Sequence, residues 1–219
     1  MRSFQEMLDQ LTNPGVVAVL RLHAREEVLP VAQALVDGGV RALEVTLTTP
    51  DAIAAIEELS DKLGEQVLVG AGTVITPTQC RTALAVGARF IVSPICRPEL
   101  TLIVHAANGI MVMGAYTPTE AQIAHESDAD YVKLFPAEKL GVDYIKALRA
   151  PLPHLKIIPT GGVDLNNIAS FFEVGCPAVG IGSALVPRKL VEARDWAGLT
   201  QRAAEFVRAA RAARRPPSS

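Results

Sequence analysis

Short apolar runs alternate with amphipathic stretches along nearly the whole chain. The runs at residues 16–20, 42–46, 67–71, 90–92, 110–113, 131–135, 156–158 and 178–181 have the pattern of strands buried on both faces. Between and after them lie stretches of helical period, at about residues 25–37, 50–63, 77–87, 97–108, 118 onward, 142–150, 165–174 and 196–213. The punctuation agrees with this division. Gly38-Gly39 stop the first of these helices, while Thr49-Pro50, Thr76-Pro77 and Thr117-Pro118 each read as an N-cap followed by proline at the first helical position. Ser93-Pro94 and Pro136 end the fourth and sixth strands. An amphipathic N-terminal helix is expected over about residues 1–13, and a frayed tail over 214–219.

Alternating β and α units with apolar strands imply a parallel sheet covered by helices. Eight such units predict an α/β protein with one (β/α)8 TIM-barrel domain over residues 1–219 and the N-terminal helix as an extra element. The competing topology is an open doubly wound sheet. It would usually carry GxGxxG after its first strand, where this chain has Arg21-Leu22-His23.

Composition narrows the function. With 49% hydrophobic residues in 219, the chain can bury one large core. A formal net charge of -2 argues against a nucleic-acid binder. Arg208, Arg211, Arg214 and Arg215 form a local basic run, read as a solvated helix end favoured by the C-terminal dipole. No apolar stretch is long enough to span a bilayer, and the start, with Glu6 and Asp9, lacks the apolar core of a signal peptide. Cys80, Cys96 and Cys176 show no CxxC spacing, and His23, His105, His125 and His154 make no HxxxH pair. The expectation is a cytoplasmic protein with no metal and no nucleic-acid or membrane partner.

In a (β/α)8 barrel the chemistry sits at the C-terminal ends of the strands. The polar residues there are Arg21, Glu44, Thr46, Thr73, Ser93, Lys133, Thr160 and Ser183. Lys133 stands in the middle of an otherwise apolar strand, where an ammonium loses hydration unless it is paired. Desolvation favours the neutral amine, a nucleophile that attacks ketones to form Schiff bases. Taken alone, Lys133 can equally snorkel to a sheet edge or pair with a carboxylate such as Asp130. Glu44 alone could face solvent on an edge strand, but a closed barrel has no edge. Facing the lumen near Lys133, it would be an acid/base.

Thr160-Gly161-Gly162 after the seventh strand and Gly180-Ile181-Gly182-Ser183 after the eighth can bring backbone N–H groups close to a phosphate, with a helix N-terminus following. These are the two loops at which barrels hold phosphate, although glycines also serve tight turns. Gly70-Ala71-Gly72-Thr73 reads as a turn ending in a hydroxyl.

GGVRALEVTLTTPDA, VGAGTV, GARFIVSP, VKLFPAE, PTGGV and GIGSALVP, in this order and spacing, resemble the 2-keto-3-deoxy-6-phosphogluconate aldolase family over about residues 16–187. Its members are class I pyruvate aldolases, often also active on 4-hydroxy-2-oxoglutarate. The resemblance implies a (β/α)8 barrel assembled as a homotrimer, with no metal and no organic cofactor, acting on a phosphorylated keto acid. Lys133 then matches the Schiff-base lysine and Glu44 the general acid/base. Thr73, and with it Arg21, matches the substrate carboxylate site, while Thr160, Gly161, Gly162, Gly182 and Ser183 match the phosphate site. Thr46, Pro94 and Phe135 are expected to line the pocket.

Many members carry an arginine two residues after the threonine of the second-strand motif, where this chain has Thr48. Arg21, at the end of the first strand, is expected to stand in for it. A sister branch acts on the galactonate C4 epimer; EVTLTTP and LFPAE point to the gluconate branch. Two other readings use the same residues. One is a sugar-phosphate isomerase or epimerase with Glu44 as base, the other a non-catalytic binder of sugar phosphates.

Overall fold

The computed structural model describes residues 2–214. Eight parallel strands run in chain order around a barrel: β1 (Val16–Leu20), β2 (Ala42–Thr46), β3 (Leu68–Gly72), β4 (Phe90–Val92), β5 (Ile110–Ala115), β6 (Tyr131–Leu134), β7 (Ile157–Pro159) and β8 (Val179–Ile181). β8 pairs with β1, and a bridge from Thr160 to Gly180 draws the β7 and β8 edges together, so the ring is nearly closed. The helices are α1 (Phe4–Thr12), α2 (Val28–Asp37), α3 (Ala52–Leu63), α4 (Pro77–Ala85), α5 (Glu99–Ala106), α6 (Pro118–Glu126), α7 (Gly141–Arg149), α8 (Ile168–Glu173), α9 (Arg188–Glu192) and α10 (Trp196–Ala213). The (β/α)8 architecture expected from the alternating pattern is the one present; the open sheet is not.

Two apolar layers hold it. The outward side chains of the strands pack beneath the helices in one large layer that includes Leu35, Leu43, Ile56 and Phe206. The inward ones form a separate cluster in the lower lumen, where Leu68, Phe90, Ile110 and Tyr131 meet Met7 and Leu11 of α1. Thus α1 plugs the barrel at the ends where the strands begin. Ser3 and Glu6 cap it reciprocally, and their hydrogen bonds hold the Glu6 carboxyl below the usual carboxylate range.

The Thr-Pro signals divide. Thr76 and Thr117 cap α4 and α6, each answered three residues on by a side chain that returns the bond, Gln79 and Glu120. The Tyr116 amide, the Thr117 hydroxyl and the Thr117 amide together hold the Glu120 carboxyl below its ordinary range. Thr49 caps nothing. Its third residue onward is Ala52, which cannot complete a capping box, and α3 begins only at that residue, after Asp51 in a left-handed conformation at φ 48°.

Other differences are smaller. β3, β7 and β8 begin one residue later than expected, and β5 runs on to Ala115. α8 starts at Ile168 rather than near residue 165, because Asp164 and Asn167 close a turn ahead of it. The five-residue α9 was not anticipated. The expected tail lies outside the described residues except for Arg214, which is exposed, as expected of a solvated helix end, but is also held by the fold. Its guanidinium donates to the carbonyls of Thr12 and Pro177 and lies over the Phe172 ring, tying the end of α10 to the end of α1.

Because Leu11 is 1% exposed within the lower-lumen cluster, Leu11→Ala should cost about 2–5 kcal/mol. The measurement is a shift of the urea midpoint at unchanged slope. A loss below about 0.5 kcal/mol, the scale of a surface substitution, would show that α1 does not carry the base of the barrel.

Candidate active site

Strand register brings Lys133 and Glu44 into the lumen. Lys133 lies on β6 between Gly114 of β5 and Ile158 of β7, and Glu44 lies on β2 between Val19 of β1 and Gly70 of β3. Their side chains are 6% and 3% exposed, and Lys133 Nζ is 3.6 Å from Glu44 Oε1. That oxygen is buried and makes no hydrogen bond among the described residues, and Lys133 is its one ion-pair partner there. Lys133 does pair with a carboxylate, but with Glu44 and not with Asp130, which is occupied by the His105 ring and the Met111 amide, at 3.0 and 2.8 Å. β6 is paired on both sides, so Lys133 lies on no sheet edge.

Gly72 makes room for this pair. A Cβ there would lie 2.0 Å from Glu44 Oε1, so only glycine leaves the carboxylate its place. Gly180 likewise gives its side-chain volume to Thr160, whose hydroxyl would be 2.4 Å from a Cβ. Immediately after Gly72, Thr73 sits at φ 60°. A β-branched residue is strained there, and such strain gathers at functional sites.

Above the pair opens a cavity of about 470 Å³ at the mouth. Arg21, Phe135 and Thr160 line it together with the Gly161-Gly162 and Gly182-Ser183 loops. Phe135 joins this cavity to the lumen, since Lys133 Nζ is 5.2 Å from its ring centre. Lys133, Glu44, Thr46, Thr73 and Pro94 do not line the cavity itself. Thr46 is turned to the β1 end, its hydroxyl donating to the Leu20 carbonyl at 3.1 Å.

Both glycines of the β7 loop have positive φ, 95° at Gly161 and 72° at Gly162. Gly162 also faces Glu138, whose Cβ would be 2.2 Å from an added Cβ. The helix N-terminus expected behind this loop is not there: α8 starts six residues beyond Gly162 and is only six residues long.

Several residues on the cavity wall were not singled out in the sequence. Glu27 accepts from the His23 and Ala24 amides, Asp164 from the Asn166 and Asn167 amides, and Glu192 from Arg188 Nε at 2.5 Å. The i,i+4 spacing of Arg188 and Glu192 was the available signal; nothing local announces that Glu27 and Asp164 reach the mouth. Each carboxylate is thus engaged. Arg21, in contrast, is exposed and has no ion pair among the described residues; Glu44 is paired with Lys133 instead.

Burial pushes the Cys80 and Cys176 thiols up to about 11 and about 12, and the hydroxyl of Tyr131 in the lower lumen up to about 12. Among the described residues no three His, Cys, Asp or Glu side chains converge on a point that could hold a metal ion.

The fold and its mouth are those of a (β/α)8-barrel enzyme. Residues 7–202 match the family described as KDPG and KHG aldolase. The chain is 34% identical over 183 residues to the 2-dehydro-3-deoxy-phosphogluconate aldolase of Pseudomonas aeruginosa, covering 83% of each chain. It is also 34% identical over 203 residues to the 2-dehydro-3-deoxy-6-phosphogalactonate aldolase of Escherichia coli, covering 92% of this chain and 97% of the other. Among solved structures it is similar to the KDPG aldolase of Legionella pneumophila with pyruvate captured as a covalent carbinolamine, at 32% identity and TM-score 0.82 over 91% of this chain and 97% of the other. The chain belongs to the KDPG and KHG aldolase family. It is therefore an aldolase, a carbon–carbon lyase, which sets aside the isomerase and binder readings.

The fit of Gly72 to Glu44 can be tested directly. Gly72→Ala should fold, with about 1–3 kcal/mol lost to overpacking, yet lose on the order of 100-fold in turnover as the carboxylate is pushed away from Lys133. Full activity in the folded variant would show that the observed Glu44 position is not the working one.

Proposed function

We propose that this aldolase reversibly cleaves 2-dehydro-3-deoxy-6-phosphogluconate to pyruvate and glyceraldehyde 3-phosphate, and 4-hydroxy-2-oxoglutarate to pyruvate and glyoxylate. The observation that carries the reading is the 3.6 Å approach of Lys133 Nζ to Glu44 Oε1 inside the lumen. A primary amine beside a carboxylate in a dry setting is what imine chemistry on a keto acid requires.

Lys133, as the free amine, attacks the C2 ketone, and the carbinolamine loses water to give an iminium. Glu44, directly or through a water, takes the C4 hydroxyl proton. The C3–C4 bond then breaks, its electron pair moving toward the iminium nitrogen, so that an enamine remains and glyceraldehyde 3-phosphate leaves. Glu44 returns a proton to C3, and water hydrolyses the resulting iminium to pyruvate and the free amine.

Arg21 and Thr73 hold the keto-acid carboxylate; every carboxylate on the mouth wall already has a partner, leaving the Arg21 charge for an anion. The Gly161, Gly162, Gly182 and Ser183 loops receive the phosphate beside Thr160. The gluconate epimer is favoured by the EVTLTTP and LFPAE motifs; the Pro136-Ala137-Glu138 turn of the second packs onto the loop after β7 through the Ala137 amide and Thr160 carbonyl at 2.9 Å. So charged a substrate places the enzyme in the cytoplasm, since phosphate esters do not cross bilayers unaided; no described helix is long and apolar enough to cross a membrane.

The test is pyruvate release with the two C4 epimers offered separately, alongside borohydride reduction with pyruvate. The gluconate epimer should turn over faster and the trapped adduct should map to Lys133. In Glu44→Gln trapping should persist while turnover falls by about 10²–10⁴-fold. Faster turnover of the galactonate epimer would reverse the substrate assignment, and an adduct elsewhere would remove Lys133 from the mechanism.

A homotrimer completes the reading. Among the described residues, five of the six exposed large apolar side chains, Ile75, Ile95, Leu102, Tyr116 and Ile123, fall on the consecutive units from β3 to α6 and invite cover by a second copy. Light scattering should give three times the chain mass; a monomeric mass would overturn the assembly.

A further inference from the structure

The β1–β2 ladder ends at Leu20, paired with Val45, one residue before Arg21. Beyond that point a side-chain clasp takes over. Thr49 Oγ1 accepts from the Leu22 amide at 3.2 Å and reaches the Leu20 carbonyl at 3.4 Å, so one hydroxyl bonds the backbone on both sides of Arg21. Thr46 Oγ1 reinforces it, donating to the Leu20 carbonyl at 3.1 Å and contacting Thr48 Oγ1 at 3.0 Å.

Thr46 and Thr49 are 1% and 3% exposed, and Leu22 is 7% exposed, so water cannot readily replace these bonds. Between the two clasped residues Leu20 and Leu22, which are buried, Arg21 is exposed. Its long, unpaired side chain needs a held backbone if its guanidinium is to meet an anion in a defined place.

We propose that Thr49 is a positioning residue for substrate binding: its hydroxyl fixes the β1 terminus so that Arg21 presents its guanidinium to the carboxylate of the keto acid. The proposal rests on the reading of Arg21 as the carboxylate contact. It assigns the threonine that opens no helix to the binding of substrate instead. It also gives a physical sense to Thr48, whose hydroxyl meets that of Thr46 at 3.0 Å and so extends the clasp.

The experiment is a double-mutant cycle on the full-length enzyme, reading pyruvate affinity from the concentration dependence of borohydride trapping, with KM and kcat for the cleavage direction. Thr49→Val keeps the shape but removes the hydroxyl. It should weaken pyruvate binding and raise KM by about five- to twentyfold, with a smaller change in kcat. Thr49→Ser should restore most of the affinity. In an Arg21→Ala background, itself weakened, Thr49→Val should add nearly nothing, because the group it positions is gone.

Should Thr49→Val not fold, Thr49→Ala, which leaves room for a water at the Leu22 amide, takes its place in the cycle. Two results overturn the proposal while leaving Arg21 in its role. One is unchanged pyruvate affinity in the folded Thr49 variant when Arg21→Ala is weakened; the other is an equal Thr49 penalty in both backgrounds. Unchanged affinity in Arg21→Ala overturns the carboxylate reading, and the positioning role with it.

Discussion

Lys133 and Glu44 face each other at 3.6 Å, 6% and 3% exposed, inside a ring of parallel strands. Removing two charges from water costs several kcal/mol for each ion, and their attraction offsets this only where geometry is tightly held. The barrel supplies that hold. Adjacent strands clamp each backbone from both sides, α1 seals the lower lumen with apolar side chains, and Gly72 leaves the carboxylate a place no larger residue could share. Remove the closure, and nothing would keep an amine and a carboxylate together out of water.

The same economy of space shapes the mouth. Side-chain volume surrendered by a glycine on one strand is taken by a polar group on the next, Glu44 beside Gly72 and Thr160 beside Gly180. The β7 loop then turns through two left-handed glycines, and Glu138 of the turn after β6 occupies the space beside Gly162. The lysine strand, the Pro136-Ala137-Glu138 turn and the loop after β7 are therefore packed together.

Charge at the mouth is arranged by local bonding more than by long-range balance. Glu27 and Asp164 spend their carboxylates on loop amides, and Glu192 spends its own on Arg188. Each of these contacts lies within five residues of sequence, so the loops are rigidified by short bonds while Arg21 stays unpaired. An exposed guanidinium on a clasped backbone is well suited to a planar carboxylate, which it can meet with paired hydrogen bonds.

Much of this was legible in the chain alone. Continuous apolar runs spaced by helical stretches determined eight parallel strands, and Thr76 with Gln79 and Thr117 with Glu120 determined two helix starts, because period and capping are local properties. Lys133 was conspicuous for the same reason, as a charge in an apolar run. Thr49 shows the limit. Thr49-Pro50 resembles the other two signals, but Ala52 offers no side chain to complete a capping box and the Thr49 hydroxyl caps no helix. Where its hydroxyl goes instead depends on Leu20 and Leu22, more than 25 residues away in sequence. Asp130, four residues before Leu134 and close to Lys133 in the chain, turned out to serve His105, whereas Glu44, from the far side of the sheet, met the lysine. Period and capping are written in neighbouring residues; which side chains face one another across a lumen is decided only when the strands close into a ring and their register is set.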